Sequence, residues 1–539
     1  MANISSFALT VAIVSFLIYF FPFRKQKVTK LPPGPPQWPV IGNLPHLPPK
    51  GLPEYRHWLE HKDKYGLISS VQVMGQTMLI LHDQEAVKDL LEKTSKITSS
   101  RPHMEFAHNI AGYGGYVTSQ RYNDNFRLQR RFMHQQLGTK KLVAQYRSTQ
   151  RVEVGHLLMR MLEEPQKLME HLQNEAGAII LKMTYGYSVE KKRTDPLVRL
   201  VERMMANFSL AFMPLAWSVD AIPALKYLPD WLPGMSFKQT GKEWNLINQL
   251  VVNIPYSFTR QEMAMRKYQP SLVSRLVEDC SVNNPRQQLR PQDEEAIKWA
   301  AATLYGGGAD TTVSSLYSFV LAMIKFPEVQ RKGQEEIDKI VGQGRLPQFE
   351  DRDQLLYIEG IVQETLRWFP VTPLGVPHST DADIEYKGYN IPEGTVLIPG
   401  IWWFLHDPQV YKDPDDFDPM RYMSPRNEPD PSNYCFGFGR RICPGRYVAN
   451  SNLFLGIAQI LACFNISKAV DENGKPIEPQ LHHTPGLVSH PERFSYNITP
   501  RSLAHQDLIK GVAKEDYMQR GDSGKLGDIL SIADVLGKS

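Results

Sequence analysis

The chain has 539 residues, 42% hydrophobic and 22% charged, a globular composition that excludes a disordered, collagenous or multi-span membrane protein. Its 61 Lys and Arg stand against 57 Asp and Glu, a net charge of +4, which argues against a nucleic-acid binder read on charge alone. Four cysteines (Cys280, Cys435, Cys443, Cys463), none in a Cys-x-x-Cys pair, exclude a disulfide framework and argue against structural zinc.

The first element is an uncharged run from Ile4 to Phe23, followed at once by Arg24, Lys25, Lys27 and Lys30. At helical rise such a run spans about 30 Å, one bilayer core. The basic flank predicts an uncleaved transmembrane anchor over residues 1–23, with the rest of the chain in the cytosol. A cleaved signal peptide is the alternative, but a basic n-region and a small-residue cleavage site are both missing. Residues 24–40 form a basic and proline-rich hinge, in which Pro32, Pro33, Pro35 and Pro36 stop the helix and stiffen the spacer.

Residues 66–82 alternate and are rich in β-branched side chains, with Gly75 at a turn, and predict a hairpin. In RYNDNFRLQRRFMHQQL, Arg127, Arg130 and Arg131 lie on a helical stretch, which read alone is a solvated basic face. Helical patterns dominate residues 140–370. Within them AATLYGGGADTT (301–312) places three glycines in a helix, each costing about 1 kcal/mol against alanine, so a bulge or a close helix crossing must offset them. Glu364 and Arg367 stand one turn apart, a spacing that on a surface contributes under ~1 kcal/mol. Short strands and turns return after Asp383. The whole reads as mainly α with a small β region: one large domain over 41–502 and a charged, poorly packed tail over 503–539.

The most informative segment is FGFGRRICPGRYVANSNLFLGIAQILACF. Cys443 sits among Gly437, Gly439 and Gly445 just before an apolar helix that starts near Arg446. Glycines let backbone N–H groups crowd around the sulfur, and the helix N-terminus adds positive potential. Both favour a thiolate, which with backbone donors suits an iron ligand. An isolated cysteine would more often be a small buried hydrophobe.

This segment resembles the haem-binding signature F-x-x-G-x-R-x-C-x-G of the cytochrome P450 family, with Phe436, Gly439, Arg441, Cys443 and Gly445 in the fixed positions. The resemblance implies the mainly α cytochrome P450 fold. It makes Cys443 the axial thiolate of haem b, with Arg441 on a propionate and Phe436 near the ligand. Gly307, Gly308, Ala309, Asp310 and Thr311 resemble the family's [AG]-G-x-[DE]-T motif, which implies that Asp310 supplies protons through water and that Thr311 donates a hydrogen bond during O₂ activation. Glu364 and Arg367, completed by Arg421, resemble its E-x-x-R network, a structural lock on the cysteine loop. Arg130 and His378 match propionate-contacting positions, although Phe126 replaces the family's tryptophan and removes an indole donor. LKYLPDWLPGMSF and the Pro-His segment at 377–378 resemble the fungal, microsomal branch of O-methylsterigmatocystin oxidoreductase-like monooxygenases.

The expected activity is insertion of one atom of O₂ into a lipophilic small molecule of secondary metabolism, at the endoplasmic reticulum membrane. Electrons would come from NADPH through a separate cytochrome P450 reductase, with cytochrome b5 as an optional second donor. Arg127, Arg131, Lys140, Lys141, Arg440 and Arg446 form the expected docking face. Pocket candidates are Ala309, Val371, Thr372, Leu374, Leu487 and Val488. Rival readings are phenol coupling or ring rearrangement without net oxygen insertion, and a non-catalytic membrane-tethered haem sensor or carrier.

Overall fold

The structure is a computed structural model that describes residues 30–49, 51–214, 216–282, 288–513 and 520–527. The predicted anchor over 1–23 lies outside the described residues. Among those described, no helix is long and apolar enough to cross a membrane.

Helices of eight or more residues are numbered in chain order: α1 (Glu54–Tyr65), α2 (Asp124–Leu137), α3 (Arg147–Glu163), α4 (Leu168–Tyr185), α5 (Pro196–Ala211), α6 (Ser236–Ala264), α7 (Leu272–Val282), α8 (Pro291–Lys325), α9 (Pro327–Ile340), α10 (Leu356–Trp368), α11 (Arg446–Cys463) and α12 (Leu503–Ala513). The strands are β1 (Ile68–Val73), β2 (Gln76–Leu81), β3 (His378–Ser379), β4 (Ile384–Tyr386), β5 (Tyr389–Ile391), β6 (Val396–Pro399), β7 (Phe464–Lys468) and β8 (Tyr496–Pro500). The mainly helical fold with a small β part is as expected from the sequence.

The predicted hairpin is β1–β2, turned by Gly75 at φ +87°. β2 pairs parallel with β6, and β6 antiparallel with β3, giving the order β1-β2-β6-β3. The proline segment runs along this sheet: Ser70 N donates to the Pro33 carbonyl at 2.8 Å and Ser70 Oγ to that of Pro32 at 2.6 Å. A Cβ on Gly34 would stand 1.9 Å from the Ser70 carbonyl oxygen, so only glycine fits this approach.

α8, 35 residues long, crosses the centre and separates two apolar clusters. One gathers α4, α5, α6 and the loop through Phe106 and Tyr116; the other gathers α3, α9, α10 and α11. The α8 glycines have distinct reasons. A Cβ on Gly308 would meet Ile180 of α4 at 2.9 Å, a close helix crossing, and one on Gly306 would meet Met204 and Met205 at 3.1 Å. Gly307 faces open space.

The expected loose tail is a correction where it is described. Ile509 of α12 is buried in the second cluster beside α3. Further on, Asp522 exchanges backbone and side-chain bonds with Ser188, and Leu526 is buried. The sequence hid this because the apolar pieces are short and partners such as α3 and Ser188 lie more than 300 residues away.

Candidate functional site

Cys443 stands on a loop that leaves Phe436 and enters α11. Its N–H donates to the Phe436 carbonyl at 2.7 Å, closing the loop beneath the sulfur. Gly437 at φ +77° makes the turn. Burial pushes the thiol's pKa up, while the backbone N–H groups of Gly445 and Arg446 and the charges of Arg130 and Arg446 pull it down. The loop thus supplies the donors and cations that a thiolate needs.

The sulfur faces an internal cavity of about 310 Å³ between α4, α5, α8 and α11. One edge of the cavity carries a dense positive charge. Arg441 is buried, and its guanidinium donates to the carbonyls of Ser99 at 2.5 Å, Val117 at 2.7 Å and Gln120 at 2.5 Å. Arg101 donates to Thr118, Val376 and Pro377, and Arg130 to Ile442 at 2.8 Å. His378 on β3 is buried with Nδ1 on the Thr98 carbonyl at 2.8 Å. Burial and the neighbouring guanidiniums push Arg441 down to about 8. Burial, with Arg130, pushes Arg101 down to about 9. Burial lowers His378 as well, helped by Arg101 and Arg441. Among the described residues none of the three arginines has a carboxylate within ion-pair distance. Two buried guanidiniums and a half-buried third, without an anion, form a site built for a ligand that brings its own negative charge.

Phe126 occupies the position of the missing tryptophan, and its ring lies 3.8 Å beneath the Arg441 guanidinium carbon. The lost indole donor is thus replaced by a stacking surface.

Glu364 is fully buried and accepts from Arg367 Nε and Nη2 at 2.8 and 2.7 Å, Arg421 Nε at 3.0 Å, Asp418 N at 3.0 Å and Tyr422 Oη at 2.8 Å. Arg367 also donates to the carbonyls of Leu405, Pro414 and Asp416, and Arg421 to those of Lys412, Asp413 and Asp416. The network therefore fixes the irregular chain between residues 405 and 428 that leads to the cysteine loop.

On the opposite wall Thr311 lines the cavity, its hydroxyl donating to the Gly307 carbonyl at 2.7 Å. Val371, Thr372, Leu487 and Val488 also line it, together with Tyr116, Met205 and Phe208. Three sequence-based assignments are corrected: Ala309, Leu374 and Gly439 do not line this cavity. Ala309 and its neighbour Asp310 face a separate crevice, where Asp310 Oδ1 takes the His490 Nε2 donor at 3.0 Å. The reason is helical phase: Gly307, Gly308, Thr311, Thr312 and Ser315 share one face of α8, and the two intervening residues turn off it. Leu374 packs instead with Met78 and Ile80 against the sheet. Gly439, at φ +52°, lies outside the cavity and supports the turn, because its Cβ would stand 2.3 Å from the Leu91 carbonyl oxygen. Arg101 was not singled out from sequence; its signal was a lone arginine in Ser-Ser-Arg-Pro, outside any recognised motif.

Comparison with known proteins follows the same lines. The family model "Cytochrome P450" matches residues 32–498. The chain is 46% identical over 517 residues to cytochrome P450 monooxygenase CLM2 of Gibberella zeae, covering 96% of this chain and 98% of that one. It is 44% identical to the multifunctional cytochrome P450 monooxygenase af510 of Aspergillus fumigatus, covering 94% and 95%. It is also 37% identical to O-methylsterigmatocystin oxidoreductase of Aspergillus flavus, covering 93% of each.

Proposed function

The chain belongs to the cytochrome P450 family, and from that membership we propose that it is a monooxygenase of secondary metabolism acting on a neutral, lipophilic small molecule. It takes NADPH-derived electrons from a separate reductase and is anchored at the endoplasmic reticulum by residues 1–23. The observation that carries this reading is the thiol of Cys443 facing an apolar cavity whose edge holds three guanidiniums without a carboxylate.

The family's cofactor is haem b on a cysteine thiolate, and the residues present fit it. Cys443 would hold the iron, and Arg101, Arg130, Arg441 and His378 would take the two propionates. When bound, haem supplies the redox centre at which O₂ is reduced and one oxygen atom is inserted. The protein's part is binding, orientation and proton supply. Phe436 and the N–H groups of Gly445 and Arg446 hold the sulfur in place. Tyr116, Phe208, Leu487 and Val488 give the substrate an apolar wall, with the Tyr116 hydroxyl already engaged by Asn248 Oδ1 at 2.8 Å.

Thr311 presents its hydroxyl at the cavity wall and passes a proton inward, favouring oxygen insertion over rearrangement. Thr311→Ala is expected to keep haem binding while the share of NADPH electrons ending as hydrogen peroxide rises several-fold. Peroxide formed per NADPH consumed measures this, and unchanged coupling would remove Thr311 from the reaction.

Arg127, Arg131, Lys140, Lys141 and Arg440 are exposed on the cysteine side and suit an acidic reductase domain. Between 50 and 300 mM salt, reductase-driven turnover should fall by about an order of magnitude as exposed charges are screened. Peroxide-driven turnover should stay flat. Equal salt sensitivity of both reactions would contradict the docking face. The substrate itself is found by titrating a panel of lipophilic metabolites and following the low-to-high-spin shift of the Soret band.

A further inference from the structure

Asp310 faces a crevice of about 20 Å³ between α5 and α8, lined by Gln173, Val198, Val201, Glu202, Met205 and Ala309 beside it. That space holds about one water molecule. Two titratable groups flank the Asp310 carboxylate. His490, on the loop after β7, places Nε2 at 3.0 Å from Oδ1, and both side chains keep 23% of their surface exposed. Glu202 of α5 lies across the crevice and holds Gln173 Nε2 at 2.8 Å. Met205 lines both this crevice and the large cavity, and no other residue lines the two. Its sulfur sits where a Cβ on Gly306 would meet it at 3.1 Å.

We propose that His490 is a positioning residue that delivers protons from solvent to Asp310, and that Met205 is the gate between the Asp310 crevice and the cavity wall carrying Thr311. This rests on the oxygen-activating reading above and supplies its proton entry. A proton passes from the His490 imidazolium to the Asp310 carboxylate, then to the crevice water and on to the Thr311 hydroxyl. His490 regains its proton from solvent, so no net charge accumulates. Methionine has three rotatable bonds and no fixed shape, which suits a side chain that must both seal and yield. The glycines at 306 and 307 leave α8 without side chains on the path.

The charges around His490 are few. Asp310 faces it from α8, Glu202 lies beyond Asp310 on α5 with Glu170 of α4 and Arg199 near it, and His483 on its own loop is kept neutral by burial. Burial lowers the His490 pKa, but the Asp310 carboxylate more than offsets this and raises it overall. The sign follows: the charged pair is complete below the folded-state pKa of His490 and is lost as pH rises through it. NADPH-driven oxygenation therefore has an alkaline limb set by His490.

The test is His490→Gln, which keeps a donor for Asp310 but carries no titrating proton. NADPH-driven turnover should fall roughly tenfold, less than the 10²–10⁴ of a lost general acid because Asp310 still touches solvent. Its alkaline limb should vanish. Peroxide-driven turnover, whose oxidant brings its own protons, should match the wild type. An unchanged pH profile would overturn the proposal. Independently of turnover, ¹⁵N-histidine NMR of the wild type should show His490 titrating above the ordinary histidine value of about 6.5, moving down in Asp310→Asn. Titration at the ordinary value in both would overturn it. Loss of peroxide-driven turnover in the wild type would instead count against the oxygenase reading.

Discussion

Glu364→Ala is expected to yield no stably folded haem protein. The substitution leaves two buried guanidiniums, Arg367 and Arg421, facing each other without their shared carboxylate. Removing one partner of a buried ion pair costs about 3–5 kcal/mol. Here two cations lose their shared carboxylate, Arg421 keeping only Glu428 at 3.2 Å, and the Tyr422 hydroxyl and the Asp418 N–H lose their acceptor, which reaches the scale of a domain's whole stability, about 5–15 kcal/mol. Glu364→Gln keeps acceptor capacity without charge and should fall between the two. Arg331→Ala is the control: its partners Glu328 and Glu335 are exposed, and the change should cost under ~1 kcal/mol. Thermal unfolding and yield of haem-loaded protein measure the series. A Glu364→Ala protein that melts with the wild type would show that the network does not hold the cysteine loop.

The second large effect is expected at the cationic edge. Arg441→Met removes one of the three guanidiniums assigned to the propionates, itself buried. A buried charge-assisted hydrogen-bond partner contributes about 1.5–3 kcal/mol. At 1.4 kcal/mol per tenfold this is roughly a 10- to 100-fold faster loss of haem. Arg441→Lys should rescue little, because one ammonium on a flexible stem cannot reach the carbonyls of Ser99, Val117 and Gln120 together and still present charge to the cavity. Transfer of haem to apomyoglobin gives the rate. Wild-type retention in Arg441→Met would remove it from the propionate site.

What the sequence made legible was local. Cys443, Arg441 and Phe436 lie on one short loop, and Glu364 and Arg367 on one helical turn, so spacing alone brings them together. Thr311 and Asp310 are neighbours in one motif, yet helical phase, itself legible in the sequence, sends them to different faces of α8. Arg101, His490 and the docked segment around Asp522 were not legible, because each acquires its meaning from a partner brought close only by the fold. Leu374 shows the limit on loops: three residues after Val371 the chain has turned from the cavity to the sheet.

The most direct test of the central claim is the absorption spectrum of the reduced protein saturated with carbon monoxide, recorded for the wild type and for Cys443→Ala. The wild type should show the far-red-shifted Soret band of a thiolate-ligated haem, and Cys443→Ala should lose it entirely. A wild type without that band, or a Cys443→Ala protein that keeps it, would contradict the assignment of Cys443 as the haem ligand.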